Sequence, residues 1–212
     1  MKTDRNKAVV VTADLVNSTH FSSRELEMKL TWLTEQLHQA VSWRLSPEVF
    51  RGDSFQGVLE RVEDALYIAI LSRALLKSNG AAWDLRMAVG VGGILRLSDR
   101  AGTSDGEAFR LSGQLADTMK KGKARIAVAL PVSSEPIDGV LLLLEAVIEK
   151  WTASQAKVIV QLMNGRTMTE TADLLKMSQS AVSQHALAAK WWAVGPAIQT
   201  FGSLINVFYP YD

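Results

Sequence analysis

Two acidic residues stand where a soluble chain normally places Val or Ile. Asp14 interrupts the β-branched run "VVTADLV", and Asp53 follows Gly52 in "VFRGDSFQGVLE". A carboxylate buried without a partner is costly, and two brought to one sheet edge repel each other. A divalent cation resolves that conflict, since Mg²⁺ takes one or two carboxylates together with substrate phosphates. Asp14 and Asp53 are therefore candidate ligands for Mg²⁺ or Mn²⁺. "VNST" follows Asp14 and runs towards a helix N-terminus, where free N–H groups favour phosphate. That makes Asn17, Ser18 and Thr19 candidate nucleotide-binding residues. The bland alternatives are a helix cap for Ser18, Thr19, Ser22 and Ser23, and a turn residue for Asp53.

Those side chains need elements to position them. "KAVVVTADLV" reads as a buried strand. "SSRELEMKLTWLTEQLHQAVSWRL" repeats Leu26, Leu30, Leu33, Leu37 and Val41 at helical spacing, and Ser22 with Glu25 forms a capping box at its start. "EVFRGDSFQGVLE" reads as a hairpin around Gly-Asp. "VEDALYIAILSRALLK" is a second amphipathic helix, ended by "SNG", and "DLRMAVGVGGIL" a further strand. A polar loop, "SDRAGTSDGEAFR", leads through the helix "LSGQLADTMKK" to a last strand, "ARIAVAL". This order implies an α+β, ferredoxin-like mixed sheet with helices on one face. "GVGG" at residues 90–93 lacks the strand-turn-helix setting of a dinucleotide fingerprint and reads as a strand end or bulge. His20, His38 and His185 show no ligand spacing.

"VVTADLVNST" with "FRGDSFQGVLE", "LRMAVGVG" and "DGEAFRLSGQL" resembles the SatD family. More distantly, the first 130 or so residues resemble the palm shared by class III nucleotide cyclases and GGDEF diguanylate cyclases. The resemblance implies metal binding at Asp14 and Asp53 and triphosphate binding by the turn after Asp14. It also marks departures. The family's Asn and Arg, which handle ribose and transition-state charge, fall on Arg110 and Gln114, and the base-selecting acidic position falls on Thr103. Losing that clamp removes electrostatic stabilisation of a transferring phosphoryl group. Arg110 could take over the charge role, a guanidinium gripping phosphate in bidentate fashion, or could be a solvated Arg at a helix start.

"PVSSEPIDG" marks a boundary, dividing a palm-like domain at 1–132 from an all-helical domain at 137–212. In the latter, "EKWTASQAKVIVQLMNGRTMTETADLLKMSQSAVSQHALAAKWW" contains a helix ending at "NG" and a capping box at Thr167 and Glu170. The turn "MSQ" and an N-cap at Ser178 follow. Ala172 at the crossing and Val182 in the core complete a helix-turn-helix, similar to that of sigma-factor region four and of response regulators. In a DNA complex the second helix presents Gln179, Ser180, Ser183 and Gln184 to base edges, while Arg166, Lys176 and Lys190 meet phosphates. From Ile137 to Asp212 five basic residues face six acidic ones, a net of −1, whereas a DNA binder normally carries a basic face. The alternative is a helical bundle used for dimerisation or partner binding. Trp191, Trp192 and "FGSLINVFYPYD" make an aromatic tail suited to a core or a dimer interface.

Bulk properties bound these readings. The chain has 212 residues, no cysteine and a net charge of +1. That excludes disulfides and thiolate metal sites and fits a reducing compartment. "VLLLLEAVI" is broken by Glu145 and is far short of the ~20 residues of a membrane span. The expectation is a cytoplasmic homodimer: a regulator in which a nucleotide- or metal-sensing palm is fused to a DNA-binding helix-turn-helix. The alternatives are a Mg²⁺-dependent nucleotide cyclase or nucleotidyl transferase, and a protein-interaction module.

Overall fold

The computed structural model describes residues 6–50, 52–80 and 82–211. Residues 1–5 of the first expected domain and residue 212 of the second lie outside that range. The chain runs β1 (Lys7–Leu15), α1 (Ser23–Ala40), β2 (Trp43–Phe50), β3 (Ser54–Leu59), α2 (Asp64–Ser78), β4 (Leu85–Arg96), β5 (Asp105–Gly106), α3 (Glu107–Met119) and β6 (Ile126–Ala129). The helices α4 (Glu135–Ile148), α5 (Ala153–Met163), α6 (Met168–Leu175), α7 (Gln179–Ala188) and α8 (Trp191–Phe208) follow. Sheet order is β2-β3-β1-β4, with every one of these pairings antiparallel, and β6 adds in parallel to the first half of β4. β5 pairs with the far end of β4. A central β1 flanked by β3 and β4, with α1 and α2 as crossovers, is the ferredoxin-like topology.

Strand alternation sorts β1 into two faces. Val9, Val11, Ala13 and Leu15 point into the main core with Leu30, Leu33 and Leu37 of α1 and Leu66, Ile70 and Ala74 of α2. Ala8 and Val10 point the other way, against Ala108 and Phe109 of α3. Helices therefore cover both faces, not one. The physical reason lies in "GVGG", which is neither a strand end nor a bulge: β4 continues through it to Arg96. A Cβ on Gly90 would collide with the backbone oxygen of Ala108 and stand 2.6 Å from the amide nitrogen of Ser112. Glycine there lets α3 press against the strand.

α1 ends at Ala40 rather than running on to Leu45. Val41 is extended, Trp43 and Leu45 pair with Leu59 and Val58, and the Trp43 indole donates to the helix-end carbonyl of Leu37 at 2.9 Å. A strand ladder plus a satisfied helix carbonyl outweighs the helical periodicity of Val41.

The helices after β6 share the main core. Ile137, Leu144, Ile159, Met163, Val194, Phe201 and Ile205 belong to the same buried cluster as β1 and α2. Tyr67 on α2 donates to the Met163 carbonyl at 3.2 Å. Arg73, fully buried on α2, makes a bidentate pair with Asp84 (both 2.9 Å) and a third bond to Glu145 on α4 at 2.8 Å. Lys77 stands 3.8 Å from Asp84. The acid that breaks "VLLLLEAVI" is thus an internal ion-pair partner. Among the described residues no helix is long and apolar enough to cross a membrane.

Candidate functional site

Asp14 lies on the α3 face, paired in register with Ser54 of β3 and Arg86 of β4. Its Oδ2 accepts from Arg86 Nη1 at 2.6 Å, while its Oδ1 and the Arg86 Nε are buried with no partner among the described residues. Burial pushes the Asp14 carboxyl above the usual range; the Arg86 guanidinium pulls against that shift, and Asp53 adds to it weakly.

Behind Asp14 runs a directed hydrogen-bond chain. Ser112 Oγ donates to the Phe109 carbonyl (3.1 Å), Thr12 Oγ1 donates to Ser112 Oγ (3.1 Å), and Gln56 Nε2 donates to Thr12 Oγ1 (2.9 Å). Each hydroxyl's single proton is committed in turn, so Thr12 must accept from Gln56. Gln56 is thereby oriented with its NH₂ inward and its Oε1 available. Thr12, Asp14, Phe50, Ser54, Gln56, Gly113, Ala116, Asp117 and Lys120 line a cavity of about 430 Å³.

Asp53 sits at the hairpin turn. Its Oδ2 accepts from Ser18 Oγ at 2.8 Å and its Oδ1 from Ser54 Oγ at 3.0 Å. It opens on a different cavity, of about 570 Å³, shared with Ser18, Thr19, Phe21, Ser23 and Glu27 at the start of α1. Asn17 is exposed and adopts a left-handed backbone (φ 56°), and its carbonyl accepts from the His20 amide at 2.9 Å. Arg110 is more than half exposed, pairs with Asp105 at 2.9 Å and does not line the Asp14 cavity. The structure thus gathers Ser18, Thr19 and Asp53 at one opening and Asp14 at another.

These residues do not fit a divalent ion clamped between Asp14 and Asp53. Mg²⁺ seeks six oxygens in near-octahedral array. Asp14 is committed to a guanidinium, whose charge opposes a second cation beside it. Arg86, Gln56, Thr12, Ser112 and Lys120 escaped the sequence reading. Arg86 carried a usable signal, a charge in the apolar strand "DLRMAVGVGG", but its pairing with Asp14 needs the strand register.

The second candidate surface lies on α6 and α7. Their N-caps, Thr167 (with Glu170) and Ser178, hold the first turns. Between them Lys176 takes a left-handed conformation (φ 54°), and the Met177 amide bonds back to the Ala172 carbonyl at 2.9 Å, a Schellman-type stop. Ala172, Val182 and Ala186 bury against Val158 of α5. Gln179, Ser180, Ser183, Gln184, Arg166, Lys176 and Lys190 are all exposed, with Ser180 sharing a 3.0 Å bond with Ser178. Trp192 is exposed, while Trp191 packs against the cores.

No family model matches the sequence, and no curated protein matches it. Among solved structures the chain is similar to the active GGEEF domain of a diguanylate cyclase from Vibrio cholerae, at 18% identity and a TM-score of 0.44, over 61% of this chain and 86% of that one.

Proposed function

We propose that the protein is a SatD-like, DNA-binding regulator in which the sheet domain, derived from a nucleotide-binding palm, senses a small ligand instead of turning over a triphosphate. The observation that carries this reading is the α6–α7 pair: a three-residue turn, a small buried core, and an outer face of Gln179, Ser180, Ser183 and Gln184. Exposed amides and hydroxyls suit base edges in a major groove. Arg166, Lys176 and Lys190 flank that face and supply three phosphate contacts per protomer. An operator-reading protein of this kind works as a homodimer.

Titration of duplex DNA by fluorescence anisotropy tests it. Three phosphates per protomer give a salt slope of about −2.7, so affinity should fall about 40-fold for each protomer engaged between roughly 50 and 200 mM salt. Combining Gln179→Ala with Lys176→Ala should weaken binding at least tenfold. Salt-independent binding, or none, would instead assign this face to a protein partner.

The catalytic alternative is tested separately. A Mg²⁺- or Mn²⁺-dependent cyclase would use Asp14 and Asp53 on metal and Arg110 on phosphate. With Asp14 held by Arg86 and Arg110 held by Asp105, incubation with the four nucleoside triphosphates and either ion should release no pyrophosphate above the Asp14→Ala variant. Release that depends on Asp14 would establish the enzyme and overturn the sensor.

A further inference from the structure

We propose that Leu187 is a specificity-determining residue of the α7 surface: on duplex DNA its side chain packs against the 5-methyl group of a thymine. This rests on the reading of α6 and α7 as a DNA-binding pair and names the chemistry of one base contact.

Helical spacing places the residue. Gln179, Ser183 and Leu187 follow one another in steps of four along α7, and Ser180 and Gln184 run beside them. At 3.6 residues per turn Leu187 therefore falls inside the arc that the four polar side chains mark out, not at its margin. The opposite side of the helix serves the core: Val182 and Ala186 are buried with Val158 of α5 and Ala172 of α6. Leu187 lies outside that cluster and is 63% exposed. A lone exposed leucine is ordinary on a protein surface. Set in the middle of a stripe of amides and hydroxyls, it instead breaks a face that is otherwise uniformly polar.

The composition of the helix narrows what that leucine can meet. α7 contains no Asp, Glu, Lys or Arg, so its outer face offers no charge to a phosphate, and a branched hydrocarbon gains nothing from one. Base edges in the major groove do display an apolar group, the methyl of thymine. Leu187 stands eight residues after Gln179, about 12 Å along the helix axis, which is the length of three to four base pairs. The thymine should accordingly lie within about four base pairs of an adenine held by Gln179.

Selection of binding sites from a random duplex pool by the whole chain, followed by anisotropy titration of the enriched site with each thymine exchanged in turn for deoxyuridine, tests the inference. The exchange deletes one methyl group and leaves every hydrogen-bonding atom in place. At one position it should weaken wild type about fourfold, the worth of a single buried carbon. Leu187→Ala should bind the thymine and uracil duplexes within about twofold of each other, with a melting temperature unchanged because the side chain is exposed. Leu187→Met, which keeps an apolar side chain of similar reach, should retain the methyl dependence. An enriched site in which no exchange weakens wild type, or a methyl dependence that persists in full in Leu187→Ala, would overturn this inference and leave the DNA-binding regulator standing. A pool that enriches no sequence would overturn both and assign Leu187 to a protein partner.

Discussion

Arg73→Ala is expected to lower the unfolding free energy by about 3–5 kcal/mol, against the roughly 5–15 kcal/mol that holds a typical domain. Arg73 has no exposed surface, and its guanidinium answers Asp84 from the loop before β4 and Glu145 from α4. Truncation leaves two acids facing each other, with Lys77 3.8 Å from Asp84 and the backbone amides of Leu85 and Arg125 as their remaining partners among the described residues. The loss falls where α4 meets the sheet domain, so the helical region should loosen along with the core. Urea unfolding followed by tryptophan fluorescence reads both, since Trp151 is buried with its indole bonded to the Ala189 carbonyl at 2.9 Å. Arg61→Ala, at an exposed pair with Glu63, should change stability by no more than about 1 kcal/mol. A loss of similar size at both positions would refute the role given to the buried cluster.

Glu145 adds a pH signature. Burial raises its carboxyl above the ordinary value, with Arg73 opposing and Asp84 reinforcing the shift. A raised folded-state value means that its contribution is fully present below the unfolded value of 4.5 and is lost as pH climbs through the folded one. Glu145→Gln keeps the hydrogen-bond shape but cannot titrate. Its stability relative to wild type should therefore rise with pH above 4.5, and a difference flat in pH would contradict the burial argument.

Gly90→Ala should cost about 1–3 kcal/mol or more, although it adds one methyl group. The added carbon meets backbone atoms of Ala108 and Ser112, which cannot rotate away as a side chain could. α3 must lift off β4, and with it move Gly113, Ala116, Asp117 and Lys120, one whole wall of the Asp14 cavity. The contrast is Gly113→Ala on α3 itself, where a Cβ meets nothing within 4 Å; it should be neutral or stabilising. Denaturant midpoints of the pair, with hydrogen exchange on α3, decide the matter. Equal midpoints would mean that the helix does not bear on the strand as closely as described.

Much of the local structure was legible in the residues alone, because its causes act over a few positions. Ser22 with Glu25 and Thr167 with Glu170 form the capping boxes their spacing implies, and Ser178 caps α7. Ala172 and Val182 are buried, and so is Asp14 in its strand. What the sequence could not announce depends on partners brought from afar. Strand register, fixed by the pairing of β1 with β4, puts Arg86 opposite Asp14 across 72 positions and so places a guanidinium beside the carboxylate. Packing of α3 on the second sheet face makes sense of Gly90 and creates the cavity. The charges in "LSRALL" and "LLLEAV" reveal themselves as one ion cluster only after α2 and α4 meet. Caps and periodicity follow from short-range sterics and hydrogen bonding, whereas the identity of a buried charge's partner is set by where the whole chain returns to itself.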